Sequence, residues 1–291
     1  MKDAVPILGE YILSDTRKVL MNEQLLIPGL HLFGWDNFIN AESPLVPHYH
    51  ENLFEITYIA RGVFSFSADD SDYKLTGGDV FITKPGEVHS TNLTPMSVGE
   101  IYWFLLDSTK SNNILFLDQT ASQDLLQNLY RIPGHLISTG TSEMLSLLKK
   151  SFQAALTCKD PYTSSAYLVL FLRRLLKYST TTEFRLTPDI GKALDFIFDH
   201  IYGMVTIEEL ADSCNLSVSR FKHKFKQQMG LSPRNFINLQ KIELAKGLLA
   251  EEDNITNIAM KLGFTTSSYF STVFKRFTMY TPQEYKNTLK D

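Results

Sequence analysis

Cysteine is scarce: Cys158 and Cys214 are the only two among 291 residues. They lie in stretches of different character, so they make neither a disulfide framework nor a CxxC metal pair. A reducing cytoplasm is the expected compartment. Long apolar runs are also missing. The longest, residues 167–172, falls far short of the ~20 residues that cross a bilayer, and no membrane partner is expected. The opening MKDAVPILGEYILSD has no basic stretch leading into an apolar one, so no signal peptide is expected. There is no GxGxxG, no Walker loop and no Ser, His, Asp set that spacing identifies, so nucleotide chemistry and a catalytic triad have no support. The net charge is only −4, which argues against an indiscriminate polyanion binder, although an average can hide a basic patch.

What is present suffices for packed domains. Hydrophobic residues make up 44% and charged residues 21% of the chain, and its length predicts roughly two domains. Before about residue 108 the text consists of short β-branched and aromatic runs such as Phe54-Glu55-Ile56-Thr57-Tyr58-Ile59. Ala68-Asp69-Asp70 and Gly77-Gly78-Asp79 punctuate them. That spacing predicts an all-β sandwich or barrel. Helical patterns follow. One runs over about 143–156, with Thr141 or Ser142 as cap, and another over about 163–178. The second is apolar on nearly all sides and must be covered, either by the chain's own barrel or by a second copy. Residues 179–187 read as a linker, and helix resumes at Thr187-Pro188, a cap followed by proline in the first turn.

The last hundred residues contain a repeat. Phe221, Phe225-Lys226, Pro233 and Phe236 recur 49 positions later as Phe270, Phe274-Lys275, Pro282 and Tyr285. Ile207, Leu210, Ala211 and Leu216 recur 48 positions later as Ile255, Ile258, Ala259 and Phe264. Each copy reads as helix, tight turn, helix. Thr206 and Glu209 form a capping box, Ala211 allows close approach, and Asn215 or Gly263 occupies the turn, where a positive φ is needed. This is the layout of a helix-turn-helix, whose second helix enters the DNA major groove. Over residues 218–246 there are seven Lys or Arg (Arg220, Lys222, Lys224, Lys226, Arg234, Lys241, Lys246) against one acid, Glu243, a local charge of +6. Phosphate neutralisation explains such a balance on a second helix better than a merely solvated face does.

The segment 206–289 resembles the AraC/XylS DNA-binding domain. Its second copy carries the motif most fully: residues 255–259, Gly263-Phe264, Tyr269-Phe270-Ser271, Phe274-Lys275-Arg276, Thr281-Pro282 and Tyr285. The resemblance implies two helix-turn-helix units joined by a long helix over about 233–250, with both recognition helices in successive major-groove segments. It also implies the contacts. Ser219, Arg220, Lys222, His223 and Lys226 fall to the first helix, and Ser267, Ser268 and Thr272 to the second, with Thr266, Lys275 and Arg276 near phosphates. Three positions depart from the pattern: Met279 stands where the family usually has Gly, and His223 and Thr272 where it often has Arg.

In the N-terminal part, His48-Tyr49-His50, Glu55 and Gly62 fit HxH-x4-E-x6-G, and Gly78-Asp79, Pro85-Gly86 and His89 follow. These resemble the two halves of the cupin motif, with the proline shifted by one and the leading Gly absent. Cupins are small β-barrels. Histidines at i and i+2 on a strand face one side, so His48, His50, Glu55 and His89 have the makings of a three-His, one-carboxylate site. Spacing gives ligand capacity, not occupancy. The expectation is therefore effector contacts or satisfied polar groups, with no metal and no cofactor. Trp35, Tyr58, Tyr102 and Trp103 are candidates to stack on a sugar or to form core.

The expected fold is thus a cupin-like all-β barrel with appended helices, followed by an all-α double helix-turn-helix. Residues 1–140 are read as the effector-sensing barrel, 141–178 as dimerisation helices, 179–187 as linker and 188–291 as the DNA-binding domain. The expected function is sequence-specific regulation of transcription under a small-molecule effector, with double-stranded DNA and a second copy as partners and RNA polymerase as a further one. Two alternatives stay open: a barrel that only dimerises, and a metal-dependent cupin isomerase or dioxygenase. A basic double helix-turn-helix serves no purpose in the enzyme.

Overall fold

A computed structural model describes residues 5–6, 9–69, 71–110, 112–140, 142–180, 187–229, 231–251 and 254–289. The first half supplies strands β1 (Val5–Pro6), β2 (Ile12–Leu13) and β3 (Arg17–Met21), the single turn α1 (Asn22–Leu25), then β4 (Leu30–Phe38), β5 (His48–Tyr49), β6 (Leu53–Arg61), β7 (Val63–Ala68), β8 (Ser71–Thr76), β9 (Asp79–Thr83), β10 (His89–Ser90) and β11 (Gly99–Asp107). Helix α2 (Gln119–Tyr130), the edge strand β12 (Leu136–Ser138), α3 (Ser142–Gln153) and α4 (Pro161–Ser179) follow. The strands form two sheets, ordered β1-β5-β10-β7-β8 and β12-β9-β6-β11-β4-β3-β2.

Side-chain alternation makes the larger sheet two-faced. On β6, Phe54, Ile56 and Tyr58 pack with Leu129 of α2, Leu148 and Phe152 of α3 and Leu168, Phe171, Leu172 and Leu175 of α4. Phe171 meets Tyr58 and Phe104 edge to face, each at 6.0 Å between ring centroids. The other face and the smaller sheet enclose a second core around Phe64, Phe66, Leu75 and Phe81. Tyr58 and Tyr102 belong to the helix-side core and Trp35 packs against it, so three of the four aromatics considered for sugar stacking face away from the barrel interior.

The α4 sequence looks apolar all round because most of it is intrachain core. Of its large apolar residues, Leu170 and Tyr162 stay exposed, and Tyr162 lies 4.6 Å from the Phe116 ring. Arg173 pairs with Asp124 and Arg174 with Glu143 beside them. The helix starts at Pro161 under an Asp160 cap, two residues earlier than the expected 163. Helix α3 begins at Ser142 and passes into a wider turn over Ala154–Cys158. The alternative cap Thr141 and most of the expected linker, 181–186, lie outside the described residues.

The second half is helical: α5 (Pro188–Asp199), α6 (Ile207–Ser213), α7 (Val218–Met229), α8 (Pro233–Glu251), α9 (Ile255–Lys261), α10 (Ser267–Thr278) and α11 (Pro282–Thr288). Thr206 and Glu209 close the expected capping box on α6, and Thr281 and Glu284 make the same box on α11. The two copies share one core. Phe221 and Phe225 of α7, Phe270 and Phe274 of α10, and Ile242, Ala245 and Leu249 of the connecting α8 are all fully buried in it. Asn215 and Gly263 sit at φ 54° and 68°, where the repeat places the turns.

Candidate functional site

Burying two phenylalanines on one side of each second helix aims the opposite side at solvent. On α7 this exposes Ser219, Arg220, Lys222, His223 and Lys226; on α10 it exposes Ser268, Thr272 and Lys275, with Thr266 exposed just before the helix. Ser267 and Arg276 are half-buried. The hydroxyls of the second set are partly engaged. Thr266 Oγ1 accepts from the Tyr269 N–H at 3.1 Å as the helix cap, and Thr272 Oγ1 donates to the Ser268 carbonyl at 3.0 Å.

The +6 balance shrinks on inspection. Lys224 Nζ donates to Asp189 at 2.6 Å, and hydrogen bonding from Lys224 holds that carboxyl down at about 2. Lys246 pairs with Glu243 at 2.9 Å. Lys241 is only 5% exposed and donates to the Gly203 carbonyl at 2.7 Å; burial pushes its ammonium down to about 8. Among the described residues, Arg220, Lys222, Lys226 and Arg234 have none of these ties. Lys222, Lys226 and Arg234 line a cleft of about 640 Å³ between the two units, which also takes in Phe264 and Tyr269.

A second cavity, about 600 Å³, opens in the barrel. Alternation on three strands builds its wall: Leu32, Asp36 and Phe38 from β4, Glu55 and Thr57 from β6, and Ile101, Trp103 and Leu105 from β11. Trp103 fits only because Gly34 faces it. A Cβ there would lie 2.3 Å from the indole. The indole N–H donates to Asp36 at 2.6 Å, and Arg17 pairs with the same carboxylate at 3.1 Å. Burial raises the Asp36 carboxyl above its ordinary range, and Arg17 and Trp103 only partly offset this. Asp36 and Arg17 escaped the sequence reading. The β4 alternation in LHLFGWDNF was the available signal, since it puts an acid on the face opposite Phe33 and Trp35.

The four residues of the cupin-like motif do come together. His48 and His89 are directly paired across β5 and β10, and Glu55 reaches them from the other sheet. One oxygen, Glu55 Oε2, lies 2.8 Å from His89 Nε2, 3.0 Å from His50 Nε2 and 4.0 Å from His48 Nε2. The far ring nitrogens of His48 and His89 donate to the Val46 and Glu87 carbonyls at 2.8 and 3.1 Å. His50 Nδ1 is buried without a hydrogen-bond partner among the described residues. His48, His50 and Glu55 face the cavity; His89 stands behind them, 2% exposed. Burial acts to raise the Glu55 carboxyl, but His89 and His50 outweigh it and hold the group well below its usual range. For His89 the order is reversed: burial lowers it, and Glu55 carries it above the ordinary imidazole value.

A strap over residues 41–46 lines the cavity, and it touches the helical half. Glu42 pairs with Met96, and Leu45 with Thr91, on the barrel side. On the other side the Ala41 N–H donates to the Arg276 carbonyl at 2.9 Å, and Arg276 Nε donates to the Ile39 carbonyl at 3.4 Å. Met279, at the end of α10, lines the cavity itself. Its unusual place in the repeat does not break the loop: it adopts φ 73° and its N–H still closes the helix on Lys275.

Two family models match the chain: an AraC-like ligand binding domain over residues 44–143 and a helix-turn-helix domain over 210–288. The transcriptional activator RhaS of Citrobacter koseri is 25% identical over 252 residues, covering 82% of this chain and 86% of that protein. Among solved structures, the C-terminal domain of the response regulator AraT from Geobacillus stearothermophilus is 32% identical over 36% of this chain and 88% of its own, with a TM-score of 0.35. ToxT from Vibrio cholerae is 15% identical over 94% of this chain and 98% of its own, also with a TM-score of 0.35. A ligand-binding barrel followed by a paired helix-turn-helix, matched in that order, places this chain in the AraC/XylS family of DNA-binding transcription regulators.

Proposed function

We propose that the chain is a cytoplasmic transcription activator, not an enzyme, in which an effector held in the barrel cavity changes how the second helix-turn-helix unit meets DNA. The single observation that supports this coupling is Met279: a residue at the end of a recognition helix forms part of the effector cavity's wall. A ligand that fills the cavity contacts or displaces it, and two hydrogen bonds join the neighbouring Arg276 to the barrel, from the Ala41 N–H to its carbonyl and from its Nε to the Ile39 carbonyl. Ligand binding therefore alters the free energy of the docked arrangement, which is what coupling between sites requires. Double-stranded DNA is met by Ser219, Arg220, Lys222, His223 and Lys226 of α7 and by Thr266, Ser267, Ser268, Thr272, Lys275 and Arg276 around α10.

The cavity's chemistry suits a small polyhydroxylated molecule such as a sugar. One indole face, the Asp36–Arg17 pair, Thr57 and the His48, His50, Glu55 edge set polar groups around an otherwise apolar pocket. The division proposed is a sensor over residues 1–140, helices over 141–178 and a DNA-binding domain over 188–291. A homodimer through the outer face of α4, around Leu170, and contact with RNA polymerase complete the reading.

The test is DNA binding by the full chain, on a duplex selected from a randomised library, with and without a panel of sugars and sugar phosphates. One of them should change affinity by about 5–150-fold. Met279→Gly should keep the DNA affinity of the unliganded protein within threefold while removing most of the ligand's effect. An undiminished ligand effect in that variant sinks the coupling route.

A further inference from the structure

We infer that Lys241 is a positioning residue for DNA reading: it joins the two helix-turn-helix units at a fixed angle and so sets the half-site spacing at which both can bind. The inference rests on both units meeting DNA and needs no effector.

Three elements meet at this joint. Gly203 lies in the loop between α5 and α6, just ahead of the first unit, and its N–H donates to the His200 carbonyl at 2.9 Å. Gly263 turns the second unit at φ 68° and packs directly on the Gly203 backbone, where a Cβ would fall 2.3 Å from the Gly203 oxygen. Lys241 reaches them from α8. Its Nζ donates to the Gly203 carbonyl at 2.7 Å and lies 5.5 Å from the centre of the Phe264 ring, the residue after Gly263. One ammonium therefore holds the loop of the first unit and the turn of the second together.

The chemistry suits orientation better than stability. Lys241 is buried, and no carboxylate among the described residues offsets that burial, which alone pushes the ammonium down to about 8. A buried charge of this kind costs free energy, and an apolar side chain of similar volume is often as stable or more so. Single buried polar residues fix register between packed helices at just such a cost. The core that the units share, with Phe225, Ile242 and Phe274, attracts without direction. A hydrogen bond and a cation over a ring face have preferred directions. DNA converts that angle into spacing. Each base pair inserted between two half-sites moves the second by about 3.4 Å and turns it by about 35°. Units held rigidly accept one spacing, and units that swivel accept several.

The experiment measures binding of the full chain to duplexes taken from a randomised-site selection on the wild type. One carries both half-sites at the selected spacing, one has a base pair inserted between them, and one carries the first half-site alone. The wild type should lose about 10-fold or more on the insertion. Lys241→Met should lose less than about threefold on it, and should keep the single half-site affinity within about threefold of the wild type. Its Tm should stay within a few degrees. Lys241→Arg still donates to Gly203 and restores the discrimination. Phe264→Leu, which removes the ring and leaves the lysine, should discriminate to an intermediate degree. Full wild-type discrimination in Lys241→Met overturns the proposal, and if that variant does not fold, full discrimination in Phe264→Leu does the same. Equal losses of Lys241→Met on the single half-site and on the full site also overturn it, because the lysine would then only support the first unit. A wild type that binds the single half-site as tightly as the full site fails the two-unit reading itself, and the proposal with it, before any variant is made.

Discussion

The two helix-turn-helix units have one architecture and different circumstances. In the first, the turn residue Asn215 is exposed, and α7 presents a cationic, imidazole-bearing face with no contact to the barrel among the bonds described above. In the second, Gly263 is pressed against the backbone of Gly203, α10 presents mostly hydroxyls, and its end is tied to the strap over the cavity. Lys241 links the two settings. It leaves the connecting helix α8 to grip the same Gly203 carbonyl that faces Gly263. Under the proposed function, duplication of the motif leaves one copy to read bases and places the other where a ligand signal reaches it.

The largest expected difference between the copies lies in the turns. A Cβ on Gly263 would fall 2.3 Å from the Gly203 oxygen and 2.4 Å from its carbon, both backbone atoms, at φ 68°. Gly263→Ala should cost about 4 kcal/mol, from left-handed strain of about 1–2 kcal/mol plus the clash. Asn215→Ala meets only the strain term and should cost about 1 kcal/mol. Thermal melting of the full chain reads both, at roughly 2–4 °C per kcal/mol. Equal shifts would mean that the second turn is no more constrained than the first.

Base reading comes next in size. Lys and imidazole groups donate to guanine, while hydroxyls make weaker, more permissive contacts. His223→Ala or Lys222→Ala should relax specificity in one half of the site by about 1–3 kcal/mol. Thr272→Ala should change base preference less, because its hydroxyl already donates to Ser268. Selection from a randomised-site library measures all three. A larger change for Thr272→Ala than for His223→Ala would reverse the assignment of roles.

Much of this is legible in the sequence. The repeat places both turns and both pairs of buried phenylalanines, and the HxH-x4-E spacing together with the later His89 names the four residues that meet at the barrel's edge. Other features were hidden for physical reasons. Helix α2, QTASQDLLQNLY, carries a thin stripe of Leu125, Leu126 and Leu129 among polar residues, so its periodicity is weak. The all-round apolar look of α4 leaves open whether the barrel or a second copy covers it, because periodicity does not say which surface packs there; most of the helix is core against the larger sheet. The basic count treats Lys224 and Lys241 as free, whereas both find partners that sequence distance conceals: Asp189 is 35 positions from Lys224 and Gly203 is 38 from Lys241. Met279 shows in the sequence only as a departure from a pattern, because its partner is a cavity more than 170 residues upstream.

The smallest expected effect separates two adjacent cations. Lys275 is exposed, whereas Arg276 is half-buried, gives its Nε–H to Ile39 and lies 5.8 Å from the Phe277 ring. A residue that neutralises one phosphate contributes about one unit to the slope of log K against log salt. Lys275→Ala should therefore lower that slope by about one and weaken all DNA sequences alike. Arg276→Ala should leave the slope nearly unchanged in the unliganded protein, because the guanidinium is spent on the barrel. In the presence of a ligand that releases the strap, Arg276→Ala should lower it by about one as well. The measurement is a salt titration of the wild type and both variants. A full unit lost in Arg276→Ala without any ligand would show that α10 is not restrained by the barrel, and would remove the contrast between the two units.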